Sequence, residues 1–162
     1  MAFGGENAES YYDEGLTAFI KGDVDAALGF LKRALELDPD LLAARHQLGR
    51  CYLRLGQPGL AVDYLQQVLT RRPDLVPARL DLGTALLQQG RADESRRQFS
   101  QVLTLQAQNA RAQLGLAQAA FQEGNWPSAV ALAQTARGQG AASFAVLLLL
   151  GRAAKLAGNE PV

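Results

Sequence analysis

The sequence repeats itself every 34 residues, and this period limits the fold more than any other feature of the chain. Two series of glycines follow it, with Ala117 as the one exception in the second series. The first series is Gly22, Gly56, Gly90, Gly124 and Gly158, and the second is Gly15, Gly49, Gly83 and Gly151. A constant period of this length is typical of stacked units that bury their apolar sides against one another.

Each unit is predicted to be a helical hairpin. In the second unit, Leu42 to Leu55 contains good helix formers and no proline, and it is followed by Gly56. Glycine readily adopts the left-handed conformation that ends a helix. Pro58 then fits the first turn of a second helix, where its missing N–H costs nothing, and Pro73 prevents that helix from continuing.

The period divides the chain into four units and one further helix, in one continuous domain. The first seven residues have no period and are predicted to be disordered. In unit four, Gly138 and Gly140 predict a second helix that ends early. The segments are residues 1–7, unit one at 8–41, unit two at 42–75, unit three at 76–109, unit four at 110–143, and a C-terminal helix at 144–162.

Helical rotation sorts the first helix of each unit into three faces. We number the places of a unit from 1 at its first residue and rotate about 100° per place. Places 4, 8 and 11 point to the second helix of the same unit, and the small eighth place allows a close approach. Places 3, 7, 10 and 14 are predicted to cover the preceding unit. Places 2, 5, 9, 12 and 13 are predicted to meet neither neighbour and to form an inner wall.

Small residues and prolines recur at further fixed places. They are Ala27, Ala61, Ser95 and Ala129, and Pro39 and Pro73. With the two glycine series, this pattern resembles the tetratricopeptide repeat over residues 8–158, although place 4 is aromatic only at Tyr11 among the first four units. The resemblance implies an all-α, right-handed superhelical solenoid of antiparallel helix pairs, with four units and a C-terminal capping or unpaired helix. It also implies a scaffold that brings proteins together.

The inner wall is predicted to be a peptide-binding groove. Each unit places Leu or Phe on it, and leaving such a side chain in water costs about 1.5 to 3 kcal/mol relative to burial. We expect Leu87 in particular to support no stacking contact. The alternative is that curvature or a terminal helix covers the wall. Its residues are Tyr12, Leu16, Phe19, His46, Arg50, Leu53, Arg54, Leu80, Thr84, Leu87, Gln88, Arg111, Leu114, Gln118, Phe121, Gln122, Leu148, Arg152 and Lys155.

The charges on this wall predict the chemistry of its ligand. Five Arg and Lys side chains line it, whereas the acids Glu9, Asp13 and Asp81 lie at its edge. A protein or peptide ligand with apolar anchors and acidic residues is therefore favoured.

The sequence offers no set of residues for catalysis, a metal or a cofactor. It contains one histidine, His46, and one cysteine, Cys51, and its acids are scattered over solvated helix faces. The glycines end helices and form no phosphate-binding loop. Cys51 is predicted to be a buried core residue, with a reactive thiol as the alternative. We therefore expect a protein that is not an enzyme and binds no cofactor.

The net charge of zero disfavours a nucleic-acid partner, because such domains usually carry a basic excess. Residues 1–41 contain 9 acids and 3 bases (net −6), residues 42–109 contain 5 and 9 (net +4), and residues 110–162 contain 2 and 4 (net +2). This uneven distribution is interpreted as solvated helix faces, or alternatively as head-to-tail attraction between molecules.

A cytoplasmic location is expected. The sequence opens on a polar, acidic stretch with no signal peptide, and its longest apolar run, Phe144 to Leu150, is too short to cross a bilayer. A single cysteine suits a reducing compartment. The excess of 13 Arg over 3 Lys is typical of a bacterial protein from a GC-rich genome.

The C-terminal helix is predicted to contact another molecule. Val146, Leu150 and Ala153 are at places that cover unit four, whereas Gly151 is at a place that would face a second helix of its own. A bare apolar face is a liability for solubility. Either the chain was cut from a longer protein, or a homo-oligomer covers this face, or the helix is a partly exposed cap. The predicted oligomer contacts are Phe144, Leu147 and Ala154.

Three functions are compatible with these features. The favoured one is a non-catalytic scaffold that binds a peptide or protein segment in its concave groove. The alternatives are a structural, self-assembling repeat unit and the substrate-selecting arm of a longer enzyme.

Overall fold

The computed structural model describes residues 7–141 and 144–158, except for the side chains of residues 144 and 145. This part of the chain contains nine α-helices and no strands, so the predicted all-α class is confirmed. The helices are α1 (Ala8–Lys21), α2 (Val24–Leu37), α3 (Leu42–Arg54), α4 (Pro58–Arg71), α5 (Val76–Gln88), α6 (Ala92–Leu105), α7 (Ala110–Gln122), α8 (Trp126–Gly138) and α9 (Phe144–Ala157).

The chain forms two compact units, one ending at Pro73 and the other beginning at Asp74. In the first compact unit, α1 pairs with α2 and α3 pairs with α4, and α3 also contacts α1 and α2. In the second compact unit, α5 pairs with α6 and α7 pairs with α8. There α7 also contacts α5 and α6, and α9 contacts α7 and α8. Helical hairpins therefore stack within each compact unit.

The first helix of each hairpin ends at the glycine that the period predicts. Gly22, Gly56, Gly90 and Gly124 have φ between 67° and 87°, the left-handed region that suits glycine. The next residue donates its N–H back across the turn, as Asp23 does to the Ala18 carbonyl at 3.0 Å. This bond satisfies a carbonyl that the end of the helix would otherwise leave without a partner.

Side-chain caps and prolines fix several helix starts. The side-chain oxygens of Asn7, Asp23, Asn109 and Asn125 each accept a bond from the backbone N–H three residues later. Such a bond satisfies one of the four free N–H groups of a helix N-terminus. Pro58 lies in the first turn of α4, as predicted from the sequence.

The small eighth place allows the two helices of a hairpin to pack closely, as predicted. A Cβ on Gly15 or Gly49 would lie 2.8 Å from Leu31 or Leu65 respectively, both from the second helix of the same hairpin. In the third hairpin, the small residue of the second helix is Ser95, and it lies next to the corresponding glycine, Gly83. Its buried hydroxyl donates to the Gly83 carbonyl at 2.8 Å.

Phe99 fills the space between three helices of the second compact unit. Its ring contacts Gly83 of α5, where a Cβ would lie 2.7 Å away, and a Cβ on Gly115 of α7 would overlap the same ring. One repeat later, the smaller Ala133 stands at the place of Phe99. It packs with Ala117 and Leu149, which stand at the places of Gly83 and Gly115 and are larger than those glycines. The large side chain thus comes from the second helix in one repeat and from the first helix of the following unit in the next, and the space between the helices is filled in both.

The predicted stacking stripe is buried where a preceding hairpin covers it. Ala44, Leu48 and Cys51 of α3 are inaccessible to solvent, whereas Leu55, at the fourth place of the stripe, is exposed, so the prediction is wrong for that place. In α9, Val146 and Ala153 are fully buried, whereas Leu150 is only half-buried and Leu149 is buried beside it.

The fourth hairpin ends early, as its glycines predict. Helix α8 ends at Gly138, one repeat place before the ends of α2, α4 and α6, and Gly140 follows with φ 96°. The predicted disorder of the first residues falls almost wholly on residues 1–6, which lie outside the described part of the chain, as do residues 159–162.

Candidate functional site

The inner wall is more buried than the sequence predicted. Leu80 and Leu87 are each 6% exposed and form a core cluster with Phe99, Ala112 and Ala119. The prediction that places 5 and 12 meet neither neighbour is therefore wrong for these two residues. The physical reason is that α7 lies over them, since Ala112 and Ala119 are small enough for the larger leucines to pack beneath that helix.

A pocket of about 490 Å³ opens on the inner wall of the second compact unit. It is formed by α5, α7 and α9, and eight of its nine lining residues belong to the predicted wall. Leu149 is the ninth, and the sequence analysis did not include it in the wall. The lining residues are Thr84, Leu87, Gln88, Gln118, Phe121, Gln122, Leu148, Leu149 and Arg152.

Phe121 is the aromatic centre of this pocket. Its ring meets the ring of Trp126 edge to face, with centroids 5.0 Å apart and an angle of 61° between the planes. The guanidinium carbon of Arg152 lies 5.1 Å from the centroid of Phe121. A cation over a ring face is attracted by the ring quadrupole, and this attraction positions Arg152 at the pocket. The contact leaves the guanidinium charged, so it can also bind an anionic group of a ligand.

Side-chain amides and a hydroxyl supply the polar part of the lining. Gln122 donates from Nε2 to the Leu87 carbonyl at 2.9 Å, which satisfies an acceptor at the end of α5. The hydroxyl of Thr84 donates to the Leu80 carbonyl at 3.0 Å. Gln88 and Gln118 present two further amides to the pocket. An amide can donate and accept at once, which suits a peptide backbone.

Arg111 forms an ion pair with Asp81, which the sequence did not predict. Its Nη2 is 2.5 Å from Oδ1 of Asp81, whose side chain is 6% exposed. Asp81 therefore lies inside the hairpin stack and not at the groove edge. Because a buried carboxylate is costly without a partner, the ion pair commits this guanidinium to the protein itself.

Two wall residues of the second compact unit, Leu114 and Lys155, are not part of the pocket lining. Leu114 packs against the core cluster of Ala117, Ala133 and Leu149. Lys155 is exposed on α9 and is not part of the lining. Leu148 lines the pocket and is 48% exposed, as the sequence predicted for a groove residue.

In the first compact unit, two arginines cover Phe19. The guanidinium carbons of Arg50 and Arg54 lie 5.1 Å and 4.7 Å from its ring centroid, and Arg54 also donates to the Phe19 carbonyl at 2.9 Å. Burial, followed by the charge of Asp13, raises the pKa of the nearby Tyr12 phenol. In this part of the predicted wall, Arg50 and Arg54 therefore contact Phe19 of the same wall.

The other wall residues of the first compact unit do not assemble a reactive centre. Leu16, His46 and Leu53 are half-buried. Within the described residues, no group of three or more His, Cys, Asp or Glu side chains is placed to hold a metal ion.

The single cysteine is a core residue, as predicted. Cys51 is fully buried, and burial raises the pKa of its thiol to about 11. The thiolate is the reactive form, so the fold suppresses the chemistry of this residue.

We expect Cys51 to react with a thiol reagent at pH 8 at least about a hundredfold more slowly in the folded protein than in denaturant, because the shift removes thiolate and burial blocks access. A folded pKa above the unfolded value also adds stability that is complete below pH 9 and is lost as the pH rises toward 11. Labelling rates measured with and without denaturant, and unfolding across this pH range, check both statements. Equal labelling rates would show that the thiol is accessible.

Sequence models of three related repeat families match the chain. All three are described as the tetratricopeptide repeat, and they match residues 6–74, 53–103 and 80–146. The chain belongs to the tetratricopeptide repeat family. Together the matches cover the four hairpins, so the resemblance seen in the repeat places extends over both compact units.

Solved structures show the same fold. The chain is similar to MamA 41-end from Desulfovibrio magneticus RS-1, with a TM-score of 0.84 and 21% identity over 96% of this chain and 88% of that one. It is also similar to YrrB, described as a tetratricopeptide repeat protein with an unusual peptide-binding site, with a TM-score of 0.77 and 24% identity over 87% of this chain and 73% of that one. At these identities the likeness extends to the fold alone.

No curated protein matches the chain significantly by sequence. Among the helices of residues 7–141 and 144–158, none combines the length and apolar character needed to cross a membrane.

Proposed function

We propose that the chain is a non-catalytic scaffold that binds a peptide or protein segment in the pocket formed by α5, α7 and α9. The observation that carries the proposal is the convergence of Phe121, Arg152 and the amides of Gln88 and Gln118 on one cavity of about 490 Å³. An apolar cavity with a few placed polar groups is the usual form of a binding site.

The lining predicts a ligand with one apolar anchor and a nearby carboxylate. Phe121 and Leu148 offer apolar surface for the anchor, and the guanidinium of Arg152 can hydrogen-bond a carboxylate through two N–H groups. The amides suit the backbone of an extended segment. Since Arg111 is paired with Asp81, the preference for acidic ligands depends on Arg152 more than the sequence suggested.

The family supports a role in protein interaction, and the unusual peptide-binding site of YrrB supports peptide binding by a similar fold. The pocket chemistry favours binding over catalysis, because the Thr84 hydroxyl already donates to a backbone carbonyl. We place this scaffold in the reducing cytoplasm of a bacterium, a location supported by the buried single cysteine and the Arg-rich composition.

A selection from a displayed library of random twelve-residue peptides tests the proposal. We expect the recovered peptides to carry an aromatic residue or leucine next to Asp or Glu, and Arg152→Glu to weaken their binding by about tenfold or more, since a charge-assisted bond contributes about 1.5 to 3 kcal/mol. Isothermal titration of synthetic peptides against the wild type and the variant measures the loss.

Arg137→Glu is the matched control, because Arg137 is exposed on α8 and lies outside the pocket lining. It makes the same change of charge and should leave binding almost unchanged. Equal losses in the two variants would mean that only net charge matters. Peptides that bind Arg152→Glu as tightly as the wild type would contradict the assignment of the pocket.

A further inference from the structure

The two ends of the described chain differ in chemistry. In α3 the stacking stripe is apolar and buried, but the same places of α1 are Ser10, Glu14, Thr17 and Lys21. At the other end, α9 exposes Leu147 to 59%, a value that few large apolar residues of the described chain reach. One end is therefore polar and the other apolar.

The outer face of α9, defined by Leu147, Gly151 and Ala154, continues an interface that the fold uses repeatedly. In the first three hairpins, the glycine at this repeat place receives a Leu or Phe from the second helix. Among the described residues, no heavy atom lies within 4 Å of where a Cβ on Gly151 would stand. All three residues of this face are exposed.

The polar end contains a pocket of about 460 Å³ between α1 and α2. Ala18, Ala26 and Phe30 supply its apolar surface, and the carboxylates of Asp13, Glu14 and Asp23 outnumber the one ammonium in the lining. This end-face pocket lies where a preceding hairpin would stack, since four of its residues are the stripe places of α1.

The charges of the two ends are complementary. Residues 124–158 contain Arg137, Arg152 and Lys155 and no Asp or Glu, whereas residues 1–41 have a net charge of −6. Two copies of α9 facing each other would bring like charges together. An α9 facing the end-face pocket of a second copy would bring opposite charges together, which favours this arrangement.

We propose that the outer face of α9 docks on the end-face pocket of a second copy, so that molecules associate head to tail. Leu147 supplies the apolar contact, and Arg137 and Lys155 face the carboxylates of the pocket, whereas Arg152 stays over Phe121. Such an interface uses two different surfaces, so a bound pair still has one free surface of each kind and association continues beyond the dimer.

Sedimentation velocity with two blocked variants tests the proposal. Leu147→Glu blocks the α9 face, and Glu14→Lys combined with Thr17→Lys blocks the pocket. We expect the mass of the wild type to rise with concentration and to fall with added salt, because ion pairs at the rim are screened. Each blocked variant alone should remain a monomer, and an equal mixture should form dimers and nothing larger, since one intact end of each kind remains.

The control is Leu105→Glu, which changes an exposed leucine of α6 and should assemble like the wild type. Circular dichroism checks that each variant is folded, and Ala154→Glu replaces Leu147→Glu if that variant is not. A monomeric wild type at all concentrations would overturn the proposal. So would assembly of the pocket-blocked variant alone, which would show that α9 pairs with itself, or a mixture that stays monomeric.

Discussion

Replacement of Phe99 by alanine is expected to destabilise the second compact unit by about 3 to 5 kcal/mol, because a buried ring is lost and its space cannot close. Phe99 is 1% exposed and packs against two glycines that carry no side chain to fill the cavity. Chemical denaturation followed by circular dichroism measures the loss. Leu105→Ala is the control on the same helix, since Leu105 is exposed and should change stability little.

The redistribution of volume around Ala133 suggests how this loss can be repaired. In the next repeat, Ala133 stands at the place of Phe99 and packs against Leu149. Leu149 stands at the place that Gly115 occupies in α7. We therefore expect Phe99→Ala with Gly115→Leu to recover a substantial part of the stability, while Gly115→Leu alone is destabilising through overpacking. A double variant no more stable than Phe99→Ala would show that the three places are not coupled.

A second large effect is expected at Leu87. Because this residue belongs to the core cluster beneath α7, Leu87→Asp should cost about 3 to 5 kcal/mol through lost packing and a carboxylate without a partner. Leu148→Asp is the matched control, since it makes the same change in the same pocket at a residue that is 48% exposed. Thermal unfolding of both variants checks the difference. A Leu87→Asp protein that melts like the wild type would restore the original interpretation of place 12 as free surface.

The helices could be predicted from the sequence because their signals are local. The glycines and prolines that end or begin each helix lie within a few residues of its ends, so one repeat is enough to recognise them. The eighth place was also predictable, since a glycine such as Gly83 inside a helix is costly unless another residue packs against it.

The candidate site was harder to predict because its features depend on contacts between repeats. Burial of Leu87 follows from the small residues of α7, which are 25 and 32 places away in the sequence at Ala112 and Ala119. The pairing of Arg111 with Asp81 spans 30 residues. Leu149 was missed because it is at place 6 of its unit, which belongs to none of the three faces that the period defines. The small residues Ala117 and Ala133, which leave space between α7 and α8, were the one feature of the sequence that indicated a large neighbour such as Leu149.

Phe99 packs against Gly83 of its own hairpin and against Gly115 of the next hairpin. One repeat therefore cannot replace another without changing this contact. A recombination event that removed residues 110–143 would keep the period and every helix end, yet it would set Phe99 against Leu149 in place of Gly115. Two large side chains would then compete for a space that holds one. Loss of this one hairpin would therefore destabilise the shortened protein unless Phe99 or Leu149 also changed.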